Sequence, residues 1–451
     1  MRNEETSVVE KVLEHDLLSR ETVLALSERY EEPEWLRERR QEAWRLYLDT
    51  PFPNSNVDEK WRRDDISGLV RKLGTLKQAQ APVHTILEEL PAPIQGILRE
   101  SDKRGGLLVR RDAGVTYAEL DEEYAHRGVI FTDLATAIRE HSDLVEEYLF
   151  KAVAIDEGKF PAMHAALMNG GAFLYVPKGV IVERSFQIVH WLDNTGIAVF
   201  PHTLLVLGES AAATVIEEYV SPDLDGIALV NGTSEMVTGD NAVLTYLGVQ
   251  NWGKNVWHFA TQRSRLGANS VLNFSNGQLG ARFNRFETEA WLEGSGSTVY
   301  LQGIFFTGGS QHISNHTLQY HRNTQTTSDL LYKGSLTGRS RAVYEGLIKV
   351  GRGAQRTDAY QANRNLMLSK KAHADSIPQL EIEANDVRCT HGSTTAQLDE
   401  EEMFYLMSRG IPREQGVRLI VDGFFVPVLD RIPLREVRNR LKDAVAAKMN
   451  R

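Results

Sequence analysis

The chain has one cysteine, Cys389, in 451 residues. That excludes an intrachain disulfide framework and any Cys-x-x-Cys metal knuckle. No run approaches the roughly 20 apolar residues of a membrane span, and the opening "MRNEETSVVEKVLEHDLL" lacks the uninterrupted apolar core of a secretion signal. Cations are in deficit: 51 Lys and Arg against 61 Asp and Glu leave a formal charge of −10. Nucleic acid and anionic membrane both call for a basic surface, so neither is expected as a main partner. A Gly-Lys-Ser/Thr phosphate loop, a dinucleotide fingerprint and a hydrolase triad are also missing. A cytoplasmic, reduced, soluble protein that scaffolds or binds is expected.

Three textures follow one another along the chain. Residues 1–170 read as mainly helical. A capping box is available to Ser7 and Glu10, and Pro33 opens "PEWLRERRQEAWRLYL", with Trp35/Leu36, Ala43/Trp44 and Tyr47/Leu48 on one stripe. "DTPFPNSNVDEKWRRDD" breaks the pattern, which returns over 130–170 and stops at Gly170-Gly171. Residues 171–395 are short β-rich runs separated by Gly, Asn, Asp and Ser, without intervening helices, which rules out alternating βαβ units. A sandwich, a propeller and a β-solenoid all fit so many short strands. The solenoid is favoured because no blade motif recurs and hairpin turns are scarce, Asn231-Gly232 and Asn276-Gly277 being the main candidates. Residues 396–451 turn helical again. Asp399 and Glu402 form an N-terminal box, Pro412 and Pro433 open the next two helices, and Leu434, Val437, Leu441 and Val445 make a stripe on the last. This unit is expected to cover the open end of the solenoid.

Four clusters could carry chemistry. Cys389 and His391, at i and i+2 of a strand, point to one face; they could be nucleophile and base, part of a metal site, or a buried thiol beside an ordinary histidine. Two ligands cannot close a metal site, so metal binding there needs a second chain or a shared cluster. His312, His316 and His321 look like a metal cluster but lie between strands, where solvated or stacked histidines are the better reading. Arg339, Arg341, Arg352, Arg356 and Arg364 read as an ion-pair ladder with Glu345 and Asp358, not a phosphate loop. The glycines of "GGAFLYVPKGV" serve turns.

Several long stretches together resemble the SufB/SufD family of iron–sulfur cluster assembly scaffolds: "PEWLRERRQEAWRLYLDTPFP", "DEKWRRDDI", "GAFLYVPKGVIVERSFQI", "NTQTTSDLLYKGSLTGRSRAVYEGLIKV", "GAQRTDAYQANRNLMLS", "PQLEIEANDVRCTHGSTTAQLDEEEMFYLMSRGIP" and "DGFFVPVLDRIP". The resemblance runs over nearly the whole chain. It implies a right-handed parallel β-helix core (171–395) flanked by N-terminal (1–170) and C-terminal (396–451) helical regions. SufB-type chains are expected to carry a cysteine in the segment reading "AYQANRNLML"; Asn363 stands there instead, and "DVRCTHG" and "PEWLRERR" are SufD-like. The resemblance thus implies a non-catalytic SufD-type subunit pairing with a SufB-type paralogue and a SufC-type ABC ATPase, which would hydrolyse the ATP. His391, with Cys389 beside it, matches the histidine expected to face the SufB cysteine, where iron or an Fe–S cluster is held transiently and nothing is tightly bound. ATPase docking falls on the C-terminal region, with Leu434, Val437 and Leu441 as contacts. The competing readings are a homodimeric scaffold and a polysaccharide-active β-helix enzyme.

Overall fold

The computed structural model describes residues 17–79, 90–99, 104–432 and 434–449. The Ser7–Glu10 box and Pro433 lie outside them.

Two parallel sheets form the core. One stacks Gly171–Val176, His202–Leu207, Ala228–Thr238, Val256–Leu266, Phe283–Leu292, His312–His321, Arg341–Val350 and His373–Ile382; the other stacks Phe186–Trp191, Ala212–Val220, Val243–Asn251, Val271–Gln278, Thr298–Thr307, Thr327–Leu336, Asp358–Met367 and Arg388–Gln397. The chain alternates between the sheets, so each turn contributes one strand to each, and the result is a parallel β-solenoid. Stacking in register puts like faces over one another. Leu244, Leu272 and Val299 form one inward column, and Tyr246, Phe274, Leu301 and Leu330 form the next. All seven are buried, and full burial of side chains of this size is worth about 1.5–3 kcal/mol each.

The N-terminal region differs from its reading as a helical block. The helices Arg20–Arg29, Glu34–Asp49 and Lys159–Leu167 are present, and the last gives way to Gly170 at φ +100°. However, Gly106–Arg111 and Gly114–Leu120 form an antiparallel hairpin that joins the second sheet, and Ile130–Asp133 pairs antiparallel with Gly171–Val176. Alternation of apolar residues in "GLLVRR" and "GVTYAEL" was the available signal. These strands close the solenoid's first end.

The two Asn-Gly dipeptides are not turns. Asn231-Gly232 lies inside Ala228–Thr238 and Asn276-Gly277 inside Val271–Gln278. Both asparagine side chains are buried, Asn231 bonded to Phe160 O of the flanking helix at 2.9 Å and Asn276 inward to Gln262 Oε1 at 3.1 Å. Register stacking with a ready polar partner overrode local turn propensity.

The C-terminal helices Glu400–Ser408, Arg413–Leu429 and Arg435–Met449 form as expected, with Asp399 accepting the N–H groups of Glu401 and Glu402. Their placement does not: the last two lie along the flank of the second sheet, not over its end. Val421, Phe425, Val428, Val437, Leu441 and Val445 pack on the outward residues Ile216, Leu247, Ile304, Phe306 and Leu331. Outward-facing apolar residues along five turns offer far more area than one terminal cross-section. A Cβ on Gly277 would sit 2.3 Å from Leu441 Cδ2, so this glycine makes room for the helix. Lys333 Nζ donates to Phe424 O at 2.7 Å and Lys448 Nζ to Phe306 O at 2.9 Å, fixing both helices from either side. Leu441→Ala is expected to cost about 2–5 kcal/mol, read as protease sensitivity of residues 434–449 before the solenoid unfolds. Resistance equal to wild type would show the helix held by polar contacts alone.

Candidate functional site at the open end of the solenoid

Because the helices lie on the flank, the last turn is uncovered. His373–Ile382 and Arg388–Gln397 each have one neighbour in their sheet, leaving two adjacent strand edges with unpaired backbone groups. Such edges are templates for strand addition.

Cys389 and His391 belong to this turn. Cys389 stacks on Ala359, above Ser328 and Val299, and His391 stacks on Gln361, above Leu330 and Leu301. Ala359 and Gln361 are buried to 1% and 0% exposure, so both terminal residues top inward columns at the mouth. The expected side-by-side placement on one strand face is what the register gives. His391 is exposed and Cys389 half-buried against Ile348, Val350, Ala359 and Ala384. Across the mouth stand Leu380 and Ile382, exposed to 39% and 41% because no further turn covers them.

The inward columns change character here. Val299 gives way to Ser328, Ala359 and Cys389; Leu330 gives way to Gln361 and His391; the third column ends Tyr332, Asn363, Ser393. Asn363 is fully buried and accepts from Asn365 Nδ2 at 2.8 Å. It therefore faces the lumen one turn below the mouth.

Burial, with Asp358 adding to it, raises the Cys389 thiol above its ordinary value. A raised thiol argues against a self-activated nucleophile. Among the described residues no group of three metal-ligating side chains converges. The mouth can supply a thiol, an imidazole and hydroxyls, but not a closed coordination shell.

The other clusters resolve differently. His312, His316 and His321 lie on one strand. His321 points inward between Thr326 Oγ1 (2.7 Å) and Ser328 Oγ (2.8 Å). His312 and His316 face outward and meet Asp64, which no local motif singles out. His312 is stacked on Phe283 as well, with ring centroids 4.9 Å apart. The arginine ladder exists with other partners: Arg341 pairs with Asp375 at 2.9 Å and Arg388 with Asp358 at 3.2 Å, while Glu345 lies 3.6 Å from His316. Arg352 and Arg356 reach Glu383 and Asp386 at 3.9 and 3.8 Å. Arg339 and Arg364 have no ion pair of this kind among the described residues.

Leu434, Val437 and Leu441, expected as ATPase contacts, are engaged by the chain's own core, Val437 and Leu441 fully buried. The exposed apolar residues of the region are instead Phe404, Tyr405, Met407, Leu419 and Val426. Tyr405 and Leu419 line a shallow groove with Glu401, Glu402, Leu406 and Ile420. No helix among the described residues is long and apolar enough to cross a membrane.

The solenoid is closed at one end and edged at the other, with a thiol, an imidazole and hydroxyls at the open mouth. Two family models match the chain: "SUF system FeS cluster assembly, SufBD core domain" over residues 190–424 and "SufBD protein N-terminal region" over residues 111–188. The chain belongs to the SufBD family of iron–sulfur cluster assembly proteins. It is 32% identical to the iron–sulfur cluster assembly protein SufD of Bacillus subtilis, over 96% of this chain and 98% of that protein. Identity to the SufB protein of the same organism is 25%, over 92% of this chain and 90% of that one.

Proposed function

We propose that the chain is a SufD-type scaffold subunit that pairs through its open end with a cysteine-bearing SufB-type paralogue and works with a SufC-type ABC ATPase. The observation that carries this reading is the uncovered last turn. Two adjacent edges, an apolar half-rim of Leu380 and Ile382, and Cys389 and His391 together suit a partner with the same two-sheet cross-section. A second solenoid of this family has that shape. Cys389 and His391 would then contribute part of a ligand set whose thiolate comes from the paralogue, with iron or a nascent cluster as cargo. His391 is the stronger ligand, being exposed, while the Cys389 thiol is held up by burial.

The exposed Phe404, Tyr405, Met407, Leu419 and Val426 are the surface we assign to the ATPase, in place of the buried stripe. Phe404 is 74% exposed and lies in one region with the exposed Tyr405 and Met407, and exposed apolar residues that cluster mark interaction sites.

Co-purification from the native cell tests the assembly: recovery of a cysteine-bearing paralogue and an ABC-type ATPase is expected, and recovery of neither would sink the reading. In the reconstituted complex, His391→Ala should lower cluster yield by about tenfold and Cys389→Ser by less. Yield unchanged in both would remove this site. Phe404→Ser with Tyr405→Ser should abolish ATPase capture while the paralogue is still bound; capture unchanged would move the docking surface elsewhere.

A further inference from the structure

The segment Asp58–Ile66 crosses the outward face of the first sheet and reaches its open edge. Its anchor is Asp64, 1% exposed. The carboxylate accepts from His312 Nε2 at 2.7 Å, from Ser314 Oγ at 2.9 Å and from the Arg285 guanidinium. His316 Nε2 stands 3.3 Å from it and 2.7 Å from Arg285 Nη1, which can only donate, so that ring nitrogen accepts. Arg285 lies 3.9 Å over the Trp61 ring and donates to Lys60 O at 3.3 Å, so the strap grips the arginine at residues 60, 61 and 64. Burial alone would raise the Asp64 carboxyl; the bond from His312 and the charge of Arg285 outweigh it and hold it well below the usual carboxylate range.

The neighbouring residue extends the reach. Arg63 lies 4.0 Å from Asp375, on the last strand of this sheet, which also takes Arg341 at 2.9 Å and His373 at 3.2 Å. In register, Arg285, Ser314, Val343 and Asp375 form one outward column. Residues 63 and 64 therefore run along this column from the third turn below the edge to the edge itself. His373–Ile382 is hydrogen-bonded to a strand on one side only. An end strand held by one ladder opens locally more readily than the strands inside the stack, and a tie on its outward face opposes that opening.

We propose that Arg63 and Asp64 are positioning residues for the open edge: the N-terminal strap clamps His373–Ile382 in the register that receives a partner strand. The clamp rests on the pairing reading above for its purpose, but not for its existence. It ties two regions more than 300 residues apart, so the edge is fixed only after the N-terminal region has docked.

Hydrogen exchange on the full chain tests it. Arg63→Gln, a change at a half-buried side chain, should speed exchange of 373–382 roughly threefold and leave the thermal midpoint and segment 256–266 as in wild type. Asp64→Asn should speed exchange of 373–382 by roughly tenfold or more and slow capture of the cysteine-bearing paralogue. Asp375→Asn should reproduce Arg63→Gln, and the double variant should add little to either, which a general loss of stability would not produce. Unchanged exchange of 373–382 in Arg63→Gln and Asp64→Asn, or an increase spread evenly over all turns, would overturn the clamp. The exchange arm needs only this chain. A wild-type chain that shows the clamp but captures no paralogue therefore strikes the pairing reading alone.

Discussion

Stability should fall by about 4 kcal/mol between pH 7.5 and 5.5, steeply for so small an interval. Three interior histidines cause it. Burial holds His258 and His321 down to about 3 and His164 well below its ordinary value, the last further lowered by His202. Unfolded, each titrates near 6.5. The folded values are the depressed ones, so these residues favour the fold above the unfolded pKa and that contribution is lost as pH falls through 6.5 toward the folded values. Below that point the unfolded chain binds protons the folded chain refuses, at about 1.4 kcal/mol per group and pH unit. The local bonds explain the refusal. His258 Nδ1 meets Asn284 Oδ1 at 3.3 Å, and His321 is held by two hydroxyls; no carboxylate stands in for solvent. His190 is also depressed by burial, but Glu217 at 2.8 Å opposes the shift, so its share is smaller. Urea unfolding at the two pH values is the measurement. His321→Gln should remove one proton from the uptake measured across this range, and a stability constant from pH 7.5 to 5.5 would contradict the account.

Glu235 carries the second large effect. It is fully buried, and its carboxylate accepts from Phe150 N (2.7 Å), Ala152 N (2.7 Å), Val153 N (2.8 Å) and His202 Nε2 (3.0 Å). The relay continues from His202 Nδ1 to His164 Nε2 at 3.1 Å and from His164 Nδ1 to Asn231 O at 2.8 Å. A carbonyl only accepts, so His164 donates there through Nδ1. This carboxylate fastens the turn Phe150–Val153, where Phe150 sits at φ +59°, to the third turn of the first sheet. Glu235→Ala leaves three backbone N–H groups and an imidazole unpaired in the interior, at about 3–5 kcal/mol. Glu235→Gln keeps the shape yet replaces one acceptor oxygen with a donor facing donors, so it should cost nearly as much. Denaturation curves for both variants decide the matter; a glutamine variant as stable as wild type would mean that charge and polarity at this site count for little.

Legibility in the sequence follows physical range. The strands could be read because alternation and punctuation by Gly, Asn and Ser are local, and the solenoid because no helices intervene and no blade recurs. The helix starts at Asp399 and Pro412 are likewise local. Placement of the C-terminal helices could not be read. The stripe at Val437, Leu441 and Val445 says that a face is buried but not against what, and the receiving residues Ile216, Leu247 and Ile304 lie more than 100 positions away. Asn231-Gly232 and Asn276-Gly277 misled for a related reason: turn preference is worth less than a buried hydrogen bond plus register. Asp64 and Glu235 looked like ordinary acids, since their partners converge only once the turns are stacked. Cys389 and His391 stood out because i and i+2 on a strand share a face whatever the fold. That they sit at an uncovered mouth needed the structure.

The single cysteine makes the central claim directly measurable. Alkylation of Cys389 by a maleimide reports on the mouth alone, because no other thiol exists in the chain. Mixed with the cysteine-bearing paralogue, the chain should show alkylation of Cys389 slowed by at least about tenfold, as expected for a half-buried thiol closed under a second strand edge, and Phe404→Ser should leave that protection intact. A stable complex in which Cys389 is alkylated at the rate of the free chain would contradict pairing through the open end.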